Sequence, residues 1–157
     1  MSYSASVRFI TLTEQTMIPE EDTIHIVVPE DSAVAAVGLS ADEETMLLKI
    51  GMSEAGVESV ECIACVMLTV LNRVKDTTFP NDIYEVLHQT NQFTPVLYGT
   101  YDTAIPNEKC YEALELVESG WDQSGGALYF EDCENADNWH SRNFTLLFKL
   151  GNMRFYR

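Results

Sequence analysis

The 157-residue sequence has no apolar segment long enough to cross a lipid bilayer. Its longest uncharged, largely apolar run is Cys62-Ile-Ala-Cys-Val-Met-Leu-Thr-Val-Leu71, whereas a membrane-spanning helix needs about 20 such residues. The first residues, Met1-Ser-Tyr-Ser-Ala-Ser-Val-Arg8, lack the basic, apolar and small-residue regions of a secretory signal. We therefore expect no transmembrane segment and no signal peptide, with synthesis in the cytoplasm.

Basic residues are also scarce. Nine Lys and Arg stand against 25 Asp and Glu, which gives a formal net charge of −16 at pH 7. Such a surface repels nucleic-acid phosphates and anionic lipid head groups. The composition therefore argues against a nucleic-acid partner.

Metal-ligand spacing is missing as well. Cys62 and Cys65 form a CxxC pair inside an apolar run, and neither a second CxxC nor an HxxxH motif completes a zinc site. His25, His88 and His140 are isolated and receive no role. We expect the four cysteines to be small packing residues, with a disulfide as the alternative if the chain is exported, and we expect no metal and no cofactor.

The composition that is present is that of a folded protein with one main domain. The chain is 46% hydrophobic and 10% aromatic, with 8 Gly and 5 Pro, which excludes a disordered or low-complexity chain. Two β-like stretches, at 7–12 and 23–28, predict an N-terminal arm or hairpin over residues 1–43. Ser40 and Glu43 have the spacing of a helix capping box, so the main domain is assigned to residues 44–157.

Apolar periodicity predicts an α+β domain that is mostly helical. A first helix contains Met46, Leu47 and Ile50 and turns at Gly51, and a second, over about 59–74, is apolar on all sides and therefore buried. Asn81 and Asn107 are predicted to cap two further helices. The C-terminal part predicts a small antiparallel sheet from 127–130, 144–148 and 153–156, with a turn at Gly151-Asn152.

Glu54 is the residue that chemistry singles out, because it lies in the break between the first helix and the most apolar one. Burial there would raise its pKa and keep a proton on the carboxyl at neutral pH, as a general acid requires. The alternative is a helix-terminal glutamate that compensates the helix macrodipole.

A series of motifs extends over more than a hundred residues, from about residue 44 to the C-terminus. They are Glu54-Ala55, Glu58, Leu71-Asn-Arg-Val74, Phe79-Pro-Asn81, Ile83-Tyr84, Gln89, Gln92-Phe-Thr-Pro-Val96, Gly99, Gly120-Trp-Asp122, Gly125-Gly-Ala-Leu-Tyr-Phe130, Asn138-Trp139, Gly151-Asn152 and Phe155-Tyr156. Together they resemble the SleB cell-wall hydrolase family, the catalytic domains of spore cortex-lytic enzymes and their relatives.

The resemblance implies a lysozyme-like, lytic-transglycosylase-type fold whose single catalytic glutamate falls on Glu54. The family segment A-E-A-x-G-E reads Ser53-Glu-Ala-Gly-Val-Glu58 here, with Ser in place of the first Ala and the glycine one position earlier. The implied activity is cleavage of the MurNAc–GlcNAc β-1,4 bond of peptidoglycan, leaving 1,6-anhydro-muramic ends, in spore cortex or bacterial cell wall.

Further residues are assigned to catalysis and substrate binding. Glu58 is a candidate second acid for a hydrolytic reaction, or else caps the helix that begins near Ser59. The candidate substrate-binding residues are amides, hydroxyls and rings that suit an N-acetylated sugar, or else belong to the core: Gln92, Phe93, Thr94, Tyr98, Tyr129 and Trp139. The acidic run of Glu131, Asp132, Glu134 and Asp137 is interpreted as a solvated loop, since it lacks calcium-loop spacing.

Three other interpretations stay open at this point. They are a hydrolytic muramidase, a catalytically silent wall-binding protein, and a spore-coat or phage component that docks through residues 1–43. The charge of −16 should slow encounter with peptidoglycan, which carries carboxylates. Delivery by a partner, or by the particle in which the enzyme is packaged, would reconcile that repulsion with the expected activity.

Overall fold

The computed structural model of the protein describes residues 38–133 and 139–157. The arm predicted from the sequence lies outside the described residues as far as residue 37. Helix α1 (Ala41–Ala55) begins within the segment assigned to the arm. Its N-terminus is the predicted capping box: the Ser40 hydroxyl accepts from the Glu43 backbone N–H, and the Glu43 carboxylate accepts from the Ser40 N–H at 2.8 Å.

Helix α2 (Val60–Lys75) is the central element, as its sequence predicted. Every residue from Cys62 to Leu71 is buried, and α2 packs against α1, α3 (Ile83–Leu87), α5 (Glu108–Glu118) and strand β1 (Tyr129–Asp132). Cys62, Cys65 and Cys110 are free thiols buried in this core. No helix in the described part of the chain is long and apolar enough to span a membrane.

Gly51 does not turn the chain, contrary to the prediction. Helix α1 continues through it to Ala55, and a β-carbon at Gly51 would lie 2.8 Å from Met67 Cε and 3.0 Å from Ile63 Cγ2 of α2. The glycine therefore allows two helices to approach closely. As a consequence Glu54 lies in the last turn of α1 rather than after it.

The predicted caps and short helices are partly right. Asn107 caps α5 by accepting from Cys110 N at 3.1 Å. The cap of α3 is Asp82 rather than Asn81, because the Asp82 carboxylate accepts from Glu85 N at 3.0 Å. Helices α4 (Thr94–Leu97) and α6 (Trp139–Asn143) were not anticipated.

The C-terminal segments form the expected antiparallel sheet. Strands β1, β2 (Leu146–Leu150) and β3 (Met153–Tyr156) are arranged in the order β1-β3-β2. In the β1–β3 ladder Glu131 lies opposite Arg154 and Tyr129 opposite Tyr156, so these four side chains share one face of the sheet. The turn between β2 and β3 uses Gly151 at φ 58°.

Candidate active site

A cavity of about 580 Å³ lies between the helices and the sheet. Its walls come from the end of α1 and the loop after it, from residues 91–94, from β1 and from the start of α6. Arg73 of α2 and Met153 of β3 complete the lining. The cavity therefore joins segments that are far apart in the sequence.

Glu54 lines this cavity from the last turn of α1 and is partly buried. Burial raises the pKa of its carboxyl from 4.5 to about 7. A compensating role toward the helix macrodipole is wrong, because carboxylates are favoured at the N-terminal end of a helix and disfavoured at this end. A carboxyl that titrates near neutrality can both donate and accept a proton at physiological pH.

The loop that follows Glu54 is fixed by the N-terminal end of α5. Asn107 Nδ2 donates to the Gly56 carbonyl at 2.8 Å, and Lys109 Nζ donates to the Glu58 carbonyl at 2.8 Å. The hydroxyl of Ser59 then caps α2 by accepting from Cys62 N at 3.3 Å. These contacts hold the backbone between the two helices and so set the position of Glu54.

The Glu58 carboxylate is hydrogen-bonded to the β2–β3 turn. Its Oε2 accepts from the backbone N–H of Asn152 at 3.2 Å, and its Oε1 accepts from Asn152 Nδ2 at 3.1 Å. Ser59 rather than Glu58 caps α2, so the predicted capping role of Glu58 is wrong. Both carboxylate oxygens of Glu58, which also lines the cavity, therefore connect the loop after Glu54 to the sheet.

Arg73 is a buried cation surrounded by three rings. Its guanidinium carbon lies 5.0 Å from the ring centres of Phe79 and Phe93 and 5.2 Å from that of Tyr129. Its Nε donates to the Leu128 carbonyl at 2.7 Å, and burial lowers its pKa to about 10. Because Phe93 and Tyr129 line the cavity from different segments of the chain, Arg73 connects these two segments of the wall. Arg73 belongs to the Leu71-Asn-Arg-Val74 motif but was not predicted to be a site residue.

The predicted substrate-binding residues are largely brought together. Five of them line the cavity, namely Gln92, Phe93, Thr94, Tyr129 and Trp139. Phe93 is only 2% exposed, so it is a core residue as well as a wall, whereas Trp139 is 62% exposed. Tyr98 does not line the cavity and projects from the surface, 75% exposed.

Glu131 and His140 also line the cavity, and sequence analysis missed both. Glu131, interpreted as part of a solvated loop, instead has a side chain only 9% exposed. It accepts a hydrogen bond from the Tyr156 hydroxyl, and its Oε2 lies 3.2 Å from His140 Nδ1. Asp132 of the same run also lines the cavity, whereas Glu134, Asp137 and His25 lie outside the described residues.

The described residues contain no group of three or more His, Cys, Asp or Glu side chains placed to hold a metal ion. His88 stacks on Tyr84 with ring centres 3.9 Å apart, outside the cavity. The described lining of the cavity offers carboxyl, imidazole, amide, hydroxyl, guanidinium and aromatic groups.

A mostly helical domain with a small antiparallel sheet and a half-buried glutamate in a cleft is the architecture of the lysozyme-like fold class. Residues 57–156 match the family model described as Cell Wall Hydrolase, and the chain belongs to this family. The resemblance noted in the sequence and the predicted fold class are both confirmed.

Curated relatives include two proteins named spore cortex-lytic enzyme. The one from Oceanobacillus iheyensis is 31% identical over 63% of this chain and 36% of its own length, and the one from Bacillus subtilis is 31% identical over 63% of this chain and 32% of its own length. The chain thus spans about a third of the length of these relatives.

Two solved structures have the same fold. The catalytic domain of the germination-specific lytic transglycosylase SleB from Bacillus anthracis has a TM-score of 0.68 at 27% identity, over 77% of this chain and 98% of that domain. The catalytic domain of the Bacillus cereus SleB protein has a TM-score of 0.66 at 25% identity, over 80% of this chain and 97% of that domain.

Proposed function

We propose that this protein cleaves the glycan strands of bacterial peptidoglycan by lytic transglycosylation, with Glu54 as the acid and then the base. The observation that carries the proposal is the half-buried Glu54 carboxyl with its pKa of about 7 in a cavity of about 580 Å³. Membership of the Cell Wall Hydrolase family supports the substrate class. The likeness to a domain named as a lytic transglycosylase supports the reaction type.

The reaction needs one ionisable group in two protonation states. Protonated Glu54 donates its proton to the glycosidic oxygen between N-acetylmuramic acid and N-acetylglucosamine, and the C1–O bond breaks through an oxocarbenium-like state. The Glu54 carboxylate then removes the proton from the muramyl 6-hydroxyl as that oxygen bonds to C1. The products are a free 4-hydroxyl and a 1,6-anhydro sugar, and Glu54 is protonated again.

Glu58 acts as a positioning residue in this proposal and not as a second acid. Its two oxygens already accept hydrogen bonds from Asn152. A Gln side chain retains one carbonyl acceptor, so Glu58→Gln provides a matched control for Glu54→Gln. Gln92, Thr94, Tyr129 and Trp139 supply polar and stacking contacts to the sugars.

The experiment is mass spectrometry of the soluble products released from purified cortex and vegetative sacculi. Wild-type protein is expected to release anhydro-muropeptides, Glu54→Gln none, and Glu58→Gln a measurable amount. Loss of products in Glu58→Gln with retention in Glu54→Gln would contradict the assignment. No products from the wild-type protein on either wall would refute the proposed function.

The site of action follows from the substrate. Spore cortex or cell wall peptidoglycan is the proposed location, in keeping with relatives named spore cortex-lytic enzymes. Delivery by a docking partner that binds residues 1–43 is part of the same proposal, because a net charge of −16 disfavours unassisted encounter with an anionic wall. Deletion of residues 1–37 should then abolish localisation to the wall and leave cleavage of isolated sacculi intact.

A further inference from the structure

Glu131 and His140 form a hydrogen-bonded pair in the cavity that contains Glu54. Glu131 is held from the β3 side, where Tyr156 donates its hydroxyl hydrogen to Oε1 and Arg154 Nη1 lies 3.8 Å from the same oxygen. Its other oxygen, Oε2, lies 3.2 Å from His140 Nδ1. Tyr156 is 1% exposed and Arg154 is 7% exposed, so Glu131 is anchored from within the protein.

This geometry determines which tautomer the His140 imidazole adopts when it is neutral. A carboxylate only accepts hydrogen bonds, so the His140 nitrogen that faces Glu131, Nδ1, carries the hydrogen. In the neutral ring Nε2 then has a free lone pair and acts as a base. The His140 side chain is 33% exposed and lines the cavity, which makes Nε2 available to water.

We propose that the Glu131–His140 pair activates water, so that the protein also hydrolyses the glycosidic bond between N-acetylmuramic acid and N-acetylglucosamine, in competition with transglycosylation. The inference rests on the proposed function, since Glu54 must first protonate the leaving oxygen. His140 Nε2 takes one proton from water as the water oxygen bonds to C1, in place of the muramyl 6-hydroxyl. The product is a reducing muramic acid end. His140 then releases its proton to solvent, and Glu54 regains one from solvent.

Besides Glu54, the carboxylates that line the cavity are Glu58, Glu131 and Asp132, and the first two of these are less suited to this step. Glu58 is bound through both oxygens to Asn152. Glu131 itself accepts from Tyr156 and faces Arg154 and His140. It therefore acts through His140 as a positioning residue, in the way that a second carboxylate orients a catalytic histidine.

The test counts the two kinds of new glycan end. Sacculi are reduced with borohydride to remove existing reducing ends, digested, and reduced again with borodeuteride, so that only new hydrolytic ends carry deuterium. The ratio of deuterated muramitol to anhydro-muramic ends is measured by mass spectrometry. This ratio does not depend on how much of a variant is folded.

The wild-type protein is expected to form both ends. His140→Asn keeps an N–H donor for Glu131 but has no base, so the ratio should fall on the order of 100-fold. Glu131→Gln should give a smaller fall. His88→Asn is the matched control, because His88 lies outside the cavity, and it should leave the ratio unchanged.

Two results would overturn the inference and leave the proposed function intact: only anhydro ends from the wild-type protein, or an unchanged ratio in His140→Asn. Loss of both kinds of end in Glu54→Gln would support the shared first step. If the wild-type protein forms neither kind of end, the proposed function fails and the inference fails with it.

Discussion

Replacing Gly151 by alanine should destabilise the protein through Glu58. At φ 58° an alanine is strained, which costs about 1–2 kcal/mol. In addition its β-carbon would lie 2.1 Å from Glu58 Oε2 and 3.2 Å from Glu58 Cδ. The carboxylate is the end of a flexible side chain and can move away, but it then loses its hydrogen bonds to Asn152.

The size of the second effect follows from those two hydrogen bonds. Each contributes about 0.5–1.5 kcal/mol net at a partly exposed site, so the loss of both adds about 1–3 kcal/mol. Gly125→Ala is a matched control, since Gly125 has φ 59° and a β-carbon there would meet only Leu147 Cδ1, at 3.8 Å. Gly151→Ala should therefore cost about 1–3 kcal/mol more than Gly125→Ala.

Urea denaturation measures both costs, and a double-mutant cycle isolates the contact. In a Glu58→Ala background the clash is absent, so Gly151→Ala should cost no more than Gly125→Ala. Equal costs for the two glycine variants in the wild-type background, or simple additivity of Gly151→Ala and Glu58→Ala, would refute the assignment of Glu58 to the β2–β3 turn.

Four further predictions concern the acid, the core and the surface charge. Burial favours the protonated form of Glu54, so the stability this group provides is present below pH 4.5 and is lost as the pH rises through about 7. Glu54→Gln should therefore raise the free energy of unfolding by up to about 3 kcal/mol at pH 8 and leave it nearly unchanged at pH 4. Equal effects at both pH values in urea titrations would contradict this. Asn107→Ala should lower the free energy of unfolding by about 1–2 kcal/mol, because α5 loses its N-terminal cap. Asn107→Asp should retain the cap but lose the hydrogen bond to the Gly56 carbonyl and lower activity. Equal stability of the two variants would argue against the cap. Arg73→Lys should lower the free energy of unfolding by about 2–4 kcal/mol, because the Leu128 carbonyl loses the guanidinium donor and the three rings lose their contact with the guanidinium. A decrease below about 0.5 kcal/mol in urea denaturation would show that the guanidinium is not needed between the rings. Activity on sacculi should increase when ionic strength rises from about 0.01 to 0.15 M, since the Debye length falls from about 30 to 8 Å; equal activity would count against charge repulsion.

Local signals in the sequence accounted for the three long helices, α1, α2 and α5. The capping box at Ser40, the all-apolar face of 62–71 and the cap at Asn107 each depend on residues a few positions apart, and all three are found in the structure. Gly51 shows the limit of such signals. A glycine that turns the chain and a glycine that admits a neighbouring helix look the same in one sequence, and the distinction depends on Met67.

In the candidate site, too, the residue marked by local sequence was predictable and the contacts that depend on tertiary structure were not. Glu54 was predictable because it lies at the junction between an amphipathic helix and the most apolar one. The pairing of Glu131 with Tyr156 and Arg154 was not, because it depends on the β1–β3 register, which joins residues more than twenty positions apart. An acidic run in a strongly acidic chain is typical of a solvated loop, so composition pointed away from a buried Glu131.

The position of Glu54 at the C-terminal end of α1 is itself part of the chemistry. The last turn of α1 has no basic residue, and the partial negative charge of the helix end acts in the same direction as burial by disfavouring the carboxylate. A glutamate near the N-terminal end of a helix would have its pKa lowered and would be a poor acid at neutral pH. Since the proposed transglycosylation asks one group to donate a proton and then to accept one, a pKa that burial raises to about 7 suits both steps.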